Sequence, residues 1–156
     1  MSERINNCVI PTDRHVAPED HVWAQVADDD TVTVGMTDIA QSLAKRFLHA
    51  HIKREGTDVD KGDSVATVES SKYVGPVQTP VGGEVVAVND AVKSDAEMIN
   101  MDPYGDGWVV RIDPDDLEAD LAEGPKGDPA VDQYADVIAN EDNLEECEHL
   151  EGSELA

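Results

Sequence analysis

Val65-Ala66-Thr67-Val68-Glu69-Ser70-Ser71-Lys72-Tyr73-Val74-Gly75-Pro76-Val77 is the stretch that decides how this chain folds. It is β-branched on both sides of a short polar centre, which predicts two antiparallel strands joined by a tight turn. One lysine stands at the tip. A turn there pushes the Lys72 amine into solvent, where another enzyme reaches it, while rigid strands on either side fix its position. Taken alone, a turn lysine is most simply a solvated surface residue.

Further strands are predicted outward from this hairpin. Residues 21–27 (HVWAQVA), 31–36 (TVTVGM), 83–89 (GEVVAVN) and 107–112 (GWVVRI) run apolar or alternate, as buried and half-buried strands do. Asp28-Asp29-Asp30, Glu55-Gly56-Thr57, Gly62-Asp63, Pro80-Val81-Gly82-Gly83 and Asp102 to Gly107 supply turns between them. Residues 37–44 read as one short helix, with Thr37 or Asp38 as its cap and Ile39 and Leu43 on one face. Many short strands and one short helix predict a mainly β fold, a small sandwich or flattened barrel.

From Asp113 onward the composition changes. Carboxylates dominate, and Lys126 is the single basic residue. Leu117 and Leu121 lie four apart and predict an acidic helix over 115–123; a weaker helix is predicted over 130–139. Beyond Asn140 the dense like charge predicts a mobile tail. The chain thus divides into an N-terminal extension (1–15), a central domain (16–121) and an acidic C-terminal extension (122–156), taken as partly disordered.

The 156 residues are 40% hydrophobic and 4% aromatic, enough for one modest core but little for a large active-site cavity. With 35 acidic residues against 11 Lys plus Arg, the net charge is -24, which repels nucleic acid and anionic membranes alike. Such acidity suits either a salty cytoplasm or a basic partner. The N-terminus lacks a secretory pattern and no apolar run is long enough to span a bilayer, so a cytoplasmic protein is expected. Cys8 and Cys147 could pair, but in that compartment reduced thiols are expected, Cys8 packed and Cys147 exposed.

His49-Ala50-His51 puts two imidazoles on one strand face, half of a metal site, with no third ligand evident, so no metal is expected. No Ser/His/Asp or Cys/His arrangement and no phosphate-binding glycine loop is visible. No catalytic residue is assigned, and the protein is not read as an enzyme.

A series of spaced motifs identifies a relationship. His21-Val22-Trp23, Val34-Gly35-Met36-Thr37-Asp38-Ile39-Ala40-Gln41, Glu69-Ser70-Ser71-Lys72, Pro80-Val81-Gly82-Gly83-Glu84, Val88-Asn89 and Met98 to Trp108 follow in order. Together they resemble the glycine-cleavage H-protein family of lipoyl carriers across Val16 to Leu121. The resemblance implies a lipoyl/biotinyl-carrier hammerhead of two small antiparallel sheets, with lipoate in amide linkage on Lys72 as a swinging arm. Glu69, Ser70, Ser71 and Tyr73 form the turn around the attachment site. It further implies a lipoate-protein ligase or lipoyl transferase and dihydrolipoamide dehydrogenase as partners of a monomeric carrier. Lysine-flanking methionines, the mark of biotin carriers, are absent from the turn.

The departures point to a particular use. Tyr73-Val74-Gly75-Pro76 replaces the small and polar residues usual after the lysine, and Lys45, Arg46, Lys53 and Arg54 cluster within ten positions of an otherwise acidic chain. A basic patch near the turn would select its partner; the plainer alternative is that these charges only solvate a helix end and a strand edge. Those features, the Asn7-Cys8-Val9-Ile10-Pro11 start and the acidic C-terminus resemble the lipoate-binding proteins of bacterial sulfur oxidation. The expected function is therefore shuttling of sulfur intermediates to a heterodisulfide-reductase-like complex. The alternatives are an aminomethyl carrier serving the glycine cleavage enzymes and a non-catalytic lipoyl-transfer scaffold.

Overall fold

A computed structural model describes residues 2–17, 20–121, 132–133, 135–137, 139 and 146–155. The chain opens with a hairpin, β1 (Ser2–Ile5) and β2 (Cys8–Pro11), turned by Asn6 and Asn7, both at positive φ. Asparagine tolerates that region better than other side chains. Next come β3 (His15–Ala17), β4 (Val22–Val26) and β5 (Val32–Met36), then α1 (Asp38–Ala44) and β6 (Phe47–Ile52). β7 (Asp58–Val59), β8 (Ser64–Ser70), β9 (Val74–Gln78) and β10 (Gly83–Val88) follow. The short helices α2 (Asp90–Ser94) and α3 (Met98–Met101) lead into β11 (Val110–Pro114) and α4 (Leu117–Leu121).

Apart from the N-terminal hairpin, two open antiparallel sheets form the body, in the strand orders β3-β4-β5-β11-β10-β7 and β6-β8-β9. The described strands close no barrel, so the sandwich alternative holds. Val22, Val34, Val85 and Ile112 from the larger sheet and Val65, Val68 and Val77 from the smaller meet in one core, with Ile99 of α3. Small branched residues suit a thin gap between two twisted sheets. The helix cap is Thr37, whose hydroxyl accepts from Ala40 N–H at 3.3 Å. Ile39 and Leu43 of α1 pack into a second cluster with Cys8, Ile10, Val16 and Trp23.

Two expectations need correction here. The cysteines are joined as a disulfide, Cα to Cα 4.8 Å, across 139 positions of sequence, and both are 0–1% exposed. The fold brings β2 and residues 146–155 together, which sequence separation conceals. Those C-terminal residues also pack rather than trail: Cys147, Ser153 and Leu155 are buried, and Glu154 N–H donates to Met101 C=O at 2.8 Å. Their few apolar and hydroxyl side chains find partners on α1, α3 and the hairpin, which offsets the surrounding charge. Of the helix expected over 130–139, residues 132–133, 135–137 and 139 are described, and they are helical.

Because the bridge closes so long a loop, reducing it or substituting Cys147→Ser is expected to cost about 2–4 kcal/mol of stability. Urea unfolding with and without reductant reads this as a lower midpoint; an unchanged midpoint would mean the bond contributes nothing.

Candidate functional site

β8 and β9 pair with Glu69 opposite Val74 and Val68 opposite Gly75, which leaves Ser71 and Lys72 alone at the tip. Ser70 ties the turn. Its N–H donates to Tyr73 C=O at 2.7 Å, and its hydroxyl accepts the Lys72 N–H at 3.3 Å. Ser70 is buried, Ser71 and Lys72 are exposed, and the Lys72 amine carries no hydrogen bond or ion pair among the described residues. Backbone held, side chain free: that is what a modifying enzyme requires of an acceptor lysine.

Tyr73 turns the other way. Its ring folds back over Gly75, where a side chain would collide with the phenol, and it packs against the main core. Partial burial pushes the Tyr73 hydroxyl pKa above its ordinary value, so the phenol stays neutral near the turn. The replacement of small residues by Tyr73-Val74-Gly75-Pro76 is therefore one packing unit, ring on glycine.

The outer face of β6-β8-β9 continues from the tip. His49 stands opposite Glu69 and His51 opposite Thr67, with the His51 Nε2 3.4 Å from Glu69 Oε1. The two imidazoles lie 6.4 Å apart between ring centres, 28° from parallel. No group of three metal-ligating side chains converges there or elsewhere among the described residues. Glu69 thus serves as a neighbour of the histidines beneath the turn.

Two residues not singled out in the sequence complete this end of the sheet. Val74 is 67% exposed and Leu48, at the β6 bulge between Phe47 and His49, is 53% exposed. The hairpin register, which points Val74 outward opposite Glu69, was the signal for the first; no pattern announces a bulge. An exposed amine at a hairpin tip, with Val74 exposed two residues further along the chain, fits a lipoyl group, an apolar chain joined through an amide.

The basic patch expected beside Lys72 does not exist as one surface. Lys45 and Arg46 precede β6 while Lys53 and Arg54 follow it, and six residues of strand separate them by roughly 20 Å at about 3.3 Å per residue. At the Lys72 end, Lys45 Nζ pairs with Glu148 at 2.6 Å and Arg46 with Glu97 at 3.5 Å. These pairs are exposed and contribute little stability, but they neutralise the charge that was to choose the partner.

At the opposite edge of α1 the Asp102–Gly107 turn is anchored by Trp23, whose Nε1 donates to Met36 C=O and Pro103 C=O at 3.0 and 2.9 Å. Arg14 covers the same ring at 4.8 Å. Tyr104 donates to Val9 C=O and accepts from Asp38 N–H. These contacts are architectural.

Comparison with known proteins agrees with this geometry. The family profile described as Glycine cleavage H-protein matches residues 15–125. The Aquifex aeolicus protein named glycine cleavage system H protein 3 is 46% identical over 129 residues, covering 81% of this chain and 80% of its own. A probable glycine cleavage system H protein 2 of Saccharolobus solfataricus is 41% identical over 138 residues, 87% and 93% of the two chains. The crystal structure of a glycine cleavage system H protein from Mycobacterium marinum has a TM-score of 0.65 at 30% identity, covering 73% of this chain and 98% of that one. These relatives overturn the sulfur-shuttle expectation in favour of its glycine-cleavage alternative.

Proposed function

The chain belongs to the glycine cleavage H-protein family, and from that premise we propose that Lys72 is its lipoyl-bearing lysine and that the arm carries an aminomethyl group derived from glycine. Glycine cleavage H proteins are non-catalytic carriers with lipoate covalently bound to a lysine. The observation that supports Lys72 is its place at the tip of a tied hairpin with an unpaired, exposed amine.

Of the 11 Lys plus Arg residues, Lys72 alone follows the Glu-Ser-Ser run that the family resemblance marks. When bound, the lipoyl group supplies a disulfide that takes up the cargo and is reduced in doing so. The chain itself contributes presentation. Ser70 holds the turn, Tyr73 and Gly75 stiffen the descending strand, and Val74 gives the arm an apolar surface at its root. Glu69 and Ser71 border the lysine on the side a ligase or transferase approaches.

The partners in this reading are that modifying enzyme, the glycine cleavage enzymes and dihydrolipoamide dehydrogenase, in the cytoplasm. No helix among the described residues is long and apolar enough to cross a membrane.

The test is transfer. Lipoylated protein, incubated with a glycine decarboxylase and glycine labelled at its methylene carbon, is expected to acquire label on the Lys72 peptide, read by mass spectrometry. A control H protein that takes up label beside this chain without any would refute the reading.

A further inference from the structure

Behind the lysine hairpin runs a line of buried hydrogen bonds that presentation of the arm does not by itself require. Asp38 Oδ1, in the first turn of α1, accepts from Gln41 Nε2 at 2.7 Å. Gln41 Oε1 accepts from Asn100 Nδ2 at 3.2 Å, and the same Nδ2 donates to Lys45 C=O at 2.6 Å. Asn100 Oδ1 then accepts the N–H of Phe47, the first residue of β6, at 2.9 Å. Phe47 stands opposite Ser70 in the β6–β8 register, and Ser70 is the residue that closes the Lys72 turn.

Asp38, Gln41 and Asn100 are each 0–1% exposed. A buried side-chain amide is costly unless each of its groups is paired, and Asn100 has an acceptor and donors committed on both sides of one bend. That bend is sharp, because Lys45 sits at φ 67° as the chain leaves α1. From behind, the C-terminal segment clamps the line: His149 Nε2 lies 2.8 and 3.0 Å from the Asp38 carboxylate oxygens, and Gln41 Nε2 also donates to Glu148 C=O at 2.8 Å.

We propose that Asn100 is a positioning residue for the lipoyl lysine. Through Phe47 it fixes where β6 begins against Ser70, and so the attitude at which the Ser70–Tyr73 turn offers Lys72 to the enzyme that modifies it. The inference rests on the reading of Lys72 as the acceptor. Removing an asparagine that served stability alone would lower the melting temperature and leave the reactivity of the folded protein untouched.

The experiment is lipoylation of the full chain by a lipoate-protein ligase with lipoate and MgATP, at a temperature where every variant is folded. Asn100→Ala is expected to lower kcat roughly ten- to a hundredfold, misplacement by about 1 Å costing up to the larger figure, with KM for the carrier unchanged because the docking face is intact. Amide exchange at Ser70 is expected to quicken in the same variant. Asn100→Asp turns a carboxylate oxygen toward Lys45 C=O and Gln41 Oε1, where the amide donated, and is expected not to restore kcat. Wild-type kcat and wild-type Ser70 exchange in folded Asn100→Ala would overturn the inference. Should Asn100→Ala not fold, Asn100→Ser takes its place, and wild-type kcat with wild-type Ser70 exchange in that variant would overturn the inference. A wild-type protein that is never modified on Lys72 would overturn the carrier reading and this inference together; a modified wild type beside an unaffected Asn100 variant overturns only the inference.

Discussion

Lys72→Arg is expected to abolish lipoylation and every turnover that depends on it, while leaving the folded protein as stable as before. Arginine keeps the positive charge, but its guanidinium stays protonated and is not a nucleophile for amide formation. The side chain is exposed and makes no hydrogen bond or ion pair among the described residues, so substitution should change stability by less than about 0.5 kcal/mol. The two readouts separate function from fold. Mass spectrometry after ligase treatment should find no adduct, and the thermal midpoint should be that of the wild type. A Lys72→Arg protein that still acquired a lipoyl group would move the site to another lysine.

The second large effect concerns stability. Trp23→Ala is expected to cost about 3–5 kcal/mol, the range for truncating a fully buried aromatic residue. Trp23 is 1% exposed and lies across Gly35, its cross-strand partner, so close that a side chain there would enter the indole. Its Nε1 joins Met36 at the end of β5 to Pro103 in the turn before β11, so truncation opens a cavity and also leaves two buried carbonyls without their donor. For a protein whose total stability is of the order of 5–15 kcal/mol, the loss approaches unfolding. Urea denaturation measures it. A loss under about 1 kcal/mol would mean that neighbouring groups, Arg14 and Tyr104 among them, collapse into the space.

The hairpin and its lysine were legible because local pattern governs them. Alternation in 64–70 specifies β8, the register follows from the turn, and a turn residue is exposed wherever the hairpin sits. The helix start was legible for the same reason, as far as a cap at Thr37 or Asp38; the structure takes Thr37. What sequence concealed is non-local. The pairing of Cys8 with Cys147 depends on two chain ends meeting on α1, and nothing near either cysteine announces it. The grouping of Lys45, Arg46, Lys53 and Arg54 was a false patch because closeness in sequence becomes distance along a strand. The burial of Ser153 and Leu155 was hidden by the carboxylates around them. Asn100 lay inside the Met98 to Trp108 motif but before its Asp102–Gly107 turn, and its role depends on the bend at Lys45 that no composition predicts.

The central claim, that this chain presents a lipoyl group on Lys72, is tested most directly by peptide mapping of the protein isolated from its own host. A single lipoyl-sized addition on the peptide containing Lys72, and on no other lysine, is the predicted result. An unmodified Lys72 under all growth conditions, or a lipoyl group on a different lysine, would contradict it.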